Sequence, residues 1–111
     1  MAEPLPYYVD DIKKYTGSVN EAAVQGIVKH LGIALHKKDS SLVSASDPEE
    51  RKRVRDGFMK KKLALTDSDA DLEKSLGAVL DKMKADKTKE RVTVCYLLAE
   101  HYGKLDAFVK A

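Results

Sequence analysis

Hydrophobic residues recur at helical spacing in five segments of the chain. The clearest segment has an apolar face made of Leu72, Leu76, Val79, Leu80 and Met83. The residues before it, 66–71, are rich in side chains that cap helices and in acids that favour a first turn. This pattern predicts a regular amphipathic helix, the fourth along the chain.

Two shorter apolar stripes lie near the N-terminus. Val9 and Ile12 predict a short first helix. Ser18 and Glu21 have the spacing of a capping box and predict the start of a second helix. Gly32 is a typical residue to end it, although the apolar residues that follow could continue the helix with a kink. The stripe of this second helix is Ala23, Val24, Ile27, Val28 and Leu31.

The third helix has the clearest start in the sequence. Asp47 can cap it, and Pro48 suits its first position because proline lacks the N–H that would be unpaired there. A polar, serine-rich loop at residues 39–46 precedes this start. The helix has a narrow apolar stripe that consists of Val54, Phe58 and Leu65.

The last predicted helix, which begins near Thr88 and ends at Gly103, is apolar on almost every side over residues 92–99. Its β-branched residues would also suit a strand. We favour a helix because the run meets a C-terminal glycine and no second strand is available to pair with. An apolar circumference predicts a central helix surrounded by the others. Leu105 and Phe108 predict a short tail that folds back onto the core.

These elements predict an all-α fold, a compact bundle of about five helices around a central apolar C-terminal helix. The length of 111 residues suits one domain, and we expect residues 1–111 to form it with residues 1–6 flexible. With 43% apolar and 34% charged residues, the composition is close to that of globular proteins.

Charge and cysteine content limit the class of protein further. A net charge of +2 is too small to indicate nucleic-acid binding by itself, and a single cysteine, Cys95, excludes an internal disulfide. No segment approaches the roughly 20 apolar residues that span a bilayer. Residues 1–6 lack the basic and apolar regions of a signal peptide. We therefore expect a cytoplasmic protein that does not enter a membrane.

The residue types that usually carry catalysis are poorly placed in this sequence. His30 and His36 are six residues apart and His101 is distant, so no pair has the spacing that binds a metal on one helix face. Cys95 lies among apolar residues, where a thiol is inert. The sequence therefore predicts no catalytic, metal-binding or cofactor-binding residue and no cofactor.

The third helix is strongly basic, and this feature could bind nucleic acid. Its cations are Arg51, Lys52, Arg53, Arg55, Lys60, Lys61 and Lys62, against the acids Glu49, Glu50 and Asp56. An exposed basic face can hold phosphates, and its candidate residues are Lys52, Arg53, Lys60, Lys61 and Lys62. The alternative is a solvated face with internal ion pairs, and no aromatic platform for single strands accompanies the charges.

The loop before the third helix is a second candidate site. Its polar residues are His36, Lys37, Lys38, Ser40, Ser41 and Ser44. Anions often bind at a helix N-terminus, but Asp47, Glu49 and Glu50 would oppose a phosphate here. A ligand site would require this loop to converge with His30 or His101.

Several strings of the chain resemble a family of small bacterial proteins known as the domain of unknown function number 2853. They are KHLGIAL (29–35), DSSLVS (39–44), SDP (46–48), KKLALTDSDADL (61–72), KMKAD (82–86) and YLLAEHYGKL (96–105). The resemblance extends from about Tyr8 to Phe108. It implies a free-standing bacterial protein and brings no activity, cofactor or functional residue with it.

The sequence favours a non-enzymatic protein-interaction module, which would bind an unknown protein partner or form a homodimer. Nucleic-acid binding through the basic residues 51–62 is the first alternative. Ligand binding through the loop at residues 36–46 is the second.

Overall fold

The five predicted helices are all present and form an all-α bundle. The computed structural model describes residues 4–32, 42–43, 46–84 and 89–109. In chain order the elements are α1 (Leu5–Lys13), α2 (Glu21–Leu31), β1 (Leu42–Val43), α3 (Pro48–Arg53), a π-helical segment (Val54–Lys62) that continues α3, α4 (Asp69–Lys82), β2 (Lys89–Glu90), α5 (Arg91–His101) and α6 (Asp106–Val109).

Helix α5 lies at the centre of the bundle, as its apolar circumference predicts. Every residue from Arg91 to Ala99 is buried. The helix contacts α1, α2, α4, the π-helical segment and both strands. A helix enclosed in this way requires partners for each of its polar side chains, because an unpaired polar group in a core costs about 1–3 kcal/mol.

The polar side chains of α5 find those partners on the surrounding elements. The hydroxyl of Thr93, which is fully buried, donates a hydrogen bond to the carboxylate of Asp11 on α1. The phenol oxygen of Tyr96 accepts a hydrogen bond of 2.9 Å from the backbone N–H of Asn20, just before α2. These bonds fix the positions of α1 and α2 against the central helix.

The start of α2 differs from the predicted capping box. Asn20 is the N-cap, and its side-chain oxygen accepts a hydrogen bond of 3.2 Å from the N–H of Ala23. Glu21 is the first helical residue, so the proposed pairing of Ser18 with Glu21 is wrong. The phenol of Tyr96 explains the shift, since it holds the backbone of Asn20 in an extended conformation.

A short antiparallel ribbon is the second departure from the sequence prediction. Leu42 pairs with Glu90 and Val43 pairs with Lys89. The prediction that no second strand is available was therefore wrong, and α5 begins at Arg91 rather than near residue 88. With two residues per strand, the ribbon leaves the all-α class unchanged, and it ties the chain before α3 to the chain before α5.

The third helix changes its hydrogen-bonding pattern at Val54. In a π-helix each N–H bonds to the carbonyl five residues earlier, and the N–H of Leu63 donates to the carbonyl of Phe58 at 3.0 Å. The wider turn adds Met59 and Leu63 to the buried face. The predicted stripe was narrower: its members Val54 and Phe58 are buried, and Leu65 is half-buried against the core.

The fourth helix agrees closely with its predicted stripe. Ser68 caps α4, and its hydroxyl oxygen accepts a hydrogen bond of 3.2 Å from the N–H of Asp71. All five residues of the predicted face are buried. Over the described residues, each helix is too short or too polar to cross a lipid bilayer.

The predicted tail packs against α2 through a glycine. Phe108, on α6, is buried, and its backbone lies directly over Gly26. A Cβ atom at Gly26 would stand 2.1 Å from the carbonyl oxygen of Phe108. Since real atoms cannot approach so closely, only glycine allows α6 to dock in this position.

We expect Gly26→Ala to displace α6 from α2. The clash outweighs the roughly 1 kcal/mol by which alanine favours a helix, so the free energy of unfolding should fall by about 1–2 kcal/mol. Denaturant unfolding measures the loss, and amide hydrogen exchange of residues 104–109 reports the displacement. The matched control is Gln25→Ala, which changes the exposed neighbouring residue. Unchanged exchange protection in the Gly26 variant would contradict the close approach.

Candidate ligand-binding site

Two arginines of the basic third helix, Arg51 and Arg55, are held by one carboxylate from another helix. Arg51 Nη2 lies 3.0 Å from Glu73 Oε2, and Arg55 Nη1 lies 3.1 Å from Glu73 Oε1. Glu73 belongs to α4, so these ion pairs attach the third helix to the fourth. Two of the seven cations of residues 51–62 are therefore engaged in ion pairs between helices.

Lys60, one of the predicted nucleic-acid contacts, is also paired. Its Nζ lies 3.3 Å from Asp56 Oδ1 and forms a second ion pair with Asp69 at the start of α4. Hydrogen bonds to Asp69 and Asp56 raise the pKa of Lys60, and the bond from Lys60 lowers the pKa of Asp69. The carboxylates on both sides neutralise the charge that a phosphate would need.

The other three predicted lysine contacts differ in their surroundings. Lys52 and Lys61 are exposed, and within the described ranges neither has an ion-pair partner. Lys62 places its Nζ 5.2 Å from the centre of the Phe108 ring, a cation–π contact. The exposed, unpaired positive charge of the third helix is therefore concentrated at Lys52 and Lys61.

The predicted ligand loop lies largely outside the described residues. This applies to all its candidate residues, which are His36, Lys37, Lys38, Ser40, Ser41 and Ser44. Of the histidines proposed to join it, His30 has its ring 6.2 Å from the rings of Phe58 and Phe108. The ring of His101 instead meets the edge of Tyr102 at 5.0 Å. Each histidine thus has its own aromatic neighbours.

A cavity of about 250 Å³ lies between α2, the π-helical segment and α5, and we call it the inner chamber. Its wall is largely apolar, with two guanidinium groups at its edge. The lining residues are His30, Leu31, Arg53, Val54, Gly57, Phe58, Arg91 and Cys95. The elements that line it include the central helix, so the chamber reaches into the interior of the bundle.

A second, polar depression adjoins the inner chamber, and we call it the outer chamber. It measures about 480 Å³, and its lining residues are Glu49, Lys52, Arg53, Asp56, Gly57 and Lys61. Arg53 and Gly57 line both depressions, so the two are neighbours, and together we call them the groove. This amphipathic groove contains Lys52 and Lys61, the two exposed lysines of residues 51–62 that have no ion-pair partner among the described residues.

One buried carboxylate holds the two guanidinium groups of the groove. Glu50 and Arg91 are each only 8% exposed and form an ion pair. The other oxygen of Glu50 accepts a hydrogen bond of 2.8 Å from Arg53 Nη1. Arg91 also donates to the carbonyl of Leu42 at 3.4 Å. The guanidinium groups of Arg53 and Arg91 thus share this buried carboxylate.

Part of the wall of the groove is formed by the π-helical segment. A π-helical turn is wider than an α-helical turn, and such turns occur frequently at functional sites. Gly57 lies on this segment between the chambers, and a Cβ atom there would meet nothing within 4 Å. Gly57 therefore adds no side chain between the two chambers.

The thiol and the imidazole that line the inner chamber both have pKa values shifted towards the neutral form. Burial raises the pKa of the Cys95 thiol to about 12, against a smaller opposite effect of Arg91. Partial burial lowers the pKa of His30, and the positive charge of Lys62 lowers it further. Cys95 is thus the inert, buried thiol that its sequence context predicts. Within the described ranges, no cluster of three His, Cys, Asp or Glu side chains could hold a metal ion.

Sequence reasoning missed the central residues of this site. It placed Glu50 only among the acids that accompany the basic third helix and gave Arg91 no role. One signal was present, since Arg91 directly precedes the apolar run of the central helix. A charge in that position requires a buried partner, but its identity depends on the packing of α3 against α5.

The described part of the chain is thus a small all-α domain with an amphipathic groove beside its central helix. The family model of the protein of unknown function DUF2853 matches residues 7–106, and the chain belongs to this family. The family resemblance in the sequence is therefore confirmed. No curated protein matches the chain.

We expect Glu50→Ala to lower the free energy of unfolding by about 3 kcal/mol, because it leaves the buried Arg91 without its carboxylate. Glu49→Ala removes the same charge from an exposed neighbour and should change stability by less than about 0.5 kcal/mol. Urea unfolding of both variants measures the difference. Equal stabilities would show that the ion pair does not hold α3 against α5.

We expect Lys62→Gln to raise the pKa of His30 towards 6.5, because it removes a positive charge that opposes protonation. Lys61→Gln, at the neighbouring position, should leave it unchanged. Imidazole NMR titration measures both values. Folding lowers the pKa of His30, so protonation of this residue favours the unfolded chain. The free energy of unfolding should therefore decrease as the pH falls through 6.5, and Lys62→Gln should make this decrease smaller. Equal His30 pKa values in the two variants would exclude the effect of Lys62.

Proposed function

We propose that this protein is a non-enzymatic binding module that takes a small ligand into the inner chamber. One observation carries the proposal: an apolar chamber opens between a π-helical segment and the central helix. Ligand sites are typically concave and mostly apolar, with a few polar groups that orient the ligand. The inner chamber fits this description, with the guanidinium groups of Arg53 and Arg91 as its polar elements.

The chemistry of the chamber supports binding rather than catalysis. A nucleophilic cysteine needs a lowered pKa, and that of Cys95 is raised to about 12. A general base needs a partner that orients it, and the ring neighbours of His30 are Phe58 and Phe108. These side chains favour a role in shaping the chamber.

The groove is a more specific candidate than a flat protein-binding surface. In the described part of the chain, the large hydrophobic side chains that are exposed are Tyr7 and Val109, at 43% and 42%. Protein interfaces usually contain clusters of such anchors. A protein partner and a homodimer therefore stay predictions of the sequence. Nucleic-acid binding also stays a prediction, with Lys52 and Lys61 as its unpaired cations.

A neutral fluorescent probe, N-phenyl-1-naphthylamine, tests the proposed binding. We expect it to bind the folded protein and to bind at least about tenfold more weakly to Leu31→Trp, because the indole occupies the chamber. Lys29→Trp adds the same bulk at an exposed position of α2 and should bind like the unmodified protein. Fluorescence titration measures all three affinities. Equal affinities for the two tryptophan variants would place the probe elsewhere.

A further inference from the structure

The groove combines an apolar end with a positively charged end. Among the described lining residues of the outer chamber, the cations Lys52, Arg53 and Lys61 exceed the acids Glu49 and Asp56 by one charge. The acids are already partly engaged, since Asp56 pairs with Arg55 and Lys60. A ligand that extends through both chambers would therefore have an apolar body and a negative head.

Arg53 is positioned to receive that negative head. Its side chain is 71% exposed, and it lines both chambers. Only its Nη1 bonds to Glu50, although a guanidinium carries five N–H donors. The remaining donors form the fork that binds carboxylates in a bidentate manner. Lys52 and Lys61 supply further positive charge on the same rim.

The neighbouring pKa shifts agree with a positive potential in the groove. Apart from the effect of burial, the charge of Lys62 lowers the pKa of His30. The charge of Arg91 likewise acts to lower the pKa of Cys95, against the larger effect of burial. Both residues line the inner chamber. An anion at the mouth of the inner chamber would therefore lie in a favourable electrostatic potential.

The size of the inner chamber limits the ligand. An apolar cavity of roughly 150 Å³ accommodates benzene, so in proportion a chamber of about 250 Å³ accommodates about ten carbon atoms. The single excess charge of the outer chamber suits a monoanion better than a dianionic phosphate. Both limits describe a medium-sized carboxylic acid.

We infer that the groove binds an organic monocarboxylate, with an apolar body of about ten carbons in the inner chamber and the carboxylate on Arg53, Lys52 and Lys61. The inference rests on the proposed function, because it names the ligand class of the same chamber. It goes further than the proposed function, which a chamber that bound neutral molecules as tightly as carboxylates would also satisfy.

Competition against bound N-phenyl-1-naphthylamine tests this inference with three ligands of equal chain length. We expect decanoate to bind at least about tenfold more tightly than decan-1-ol, and more tightly than decyl phosphate. The preference for decanoate over decan-1-ol should weaken with salt. Arg53→Gln should reduce it to less than threefold, whereas Lys74→Gln, an equal charge change at an exposed position of α4, should preserve it.

Each outcome decides between the two proposals. If decanoate and decan-1-ol bind equally and Leu31→Trp weakens both, the chamber is a binding site but the carboxylate inference is wrong. If decyl phosphate binds most tightly, the inference that the ligand is a monocarboxylate is wrong. If decanoate, decan-1-ol and the neutral probe all fail to bind, both proposals are wrong. Should Arg53→Gln unfold the protein, the double variant Lys52→Gln with Lys61→Gln alters exposed residues and should also lower the preference.

Discussion

The complete burial of α5 is the constraint on which the rest of the structure depends. This helix has no solvent-facing side over nine residues, so its polar side chains must be satisfied from within the bundle. Each bond comes from a different surrounding element, and each therefore fixes that element against the centre. The partners are Asp11 of α1, Asn20 before α2, Leu42 of β1 and Glu50 of α3.

The groove follows from how α3 meets this central helix. The ion pair of Glu50 with Arg91 fixes the third helix at the first residue of α5. Four residues after Glu50 the helix widens into its π-helical segment, and Val54 and Phe58 then form one wall of the inner chamber. The ion pairs of Glu73 hold the other side of the helix to α4.

The sequence was informative wherever local chemistry decides the structure. The apolar stripe of α4 and its Ser68 cap depend on residues that are close together in the chain, so the sequence predicts both. The Asn20 cap depends on Tyr96, which lies 76 positions away in the chain. The basic helix likewise looked free because Asp69 and Glu73, which pair with Lys60, Arg51 and Arg55, follow in the next helix. The candidate site is formed by contacts between different helices, and the hydrophobic periodicity within one helix does not predict such contacts.

The arrangement of two guanidinium groups on one carboxylate bears on how the groove could accept an anion. A buried carboxylate that loses its partner is strongly destabilising. Glu50 has two partners, and the one more deeply buried, Arg91, also bonds to Leu42. Arg53 can therefore turn from Glu50 to a ligand while Glu50 stays neutralised by Arg91. The exposed arginine is free to exchange partners because the buried arginine holds α3 in place.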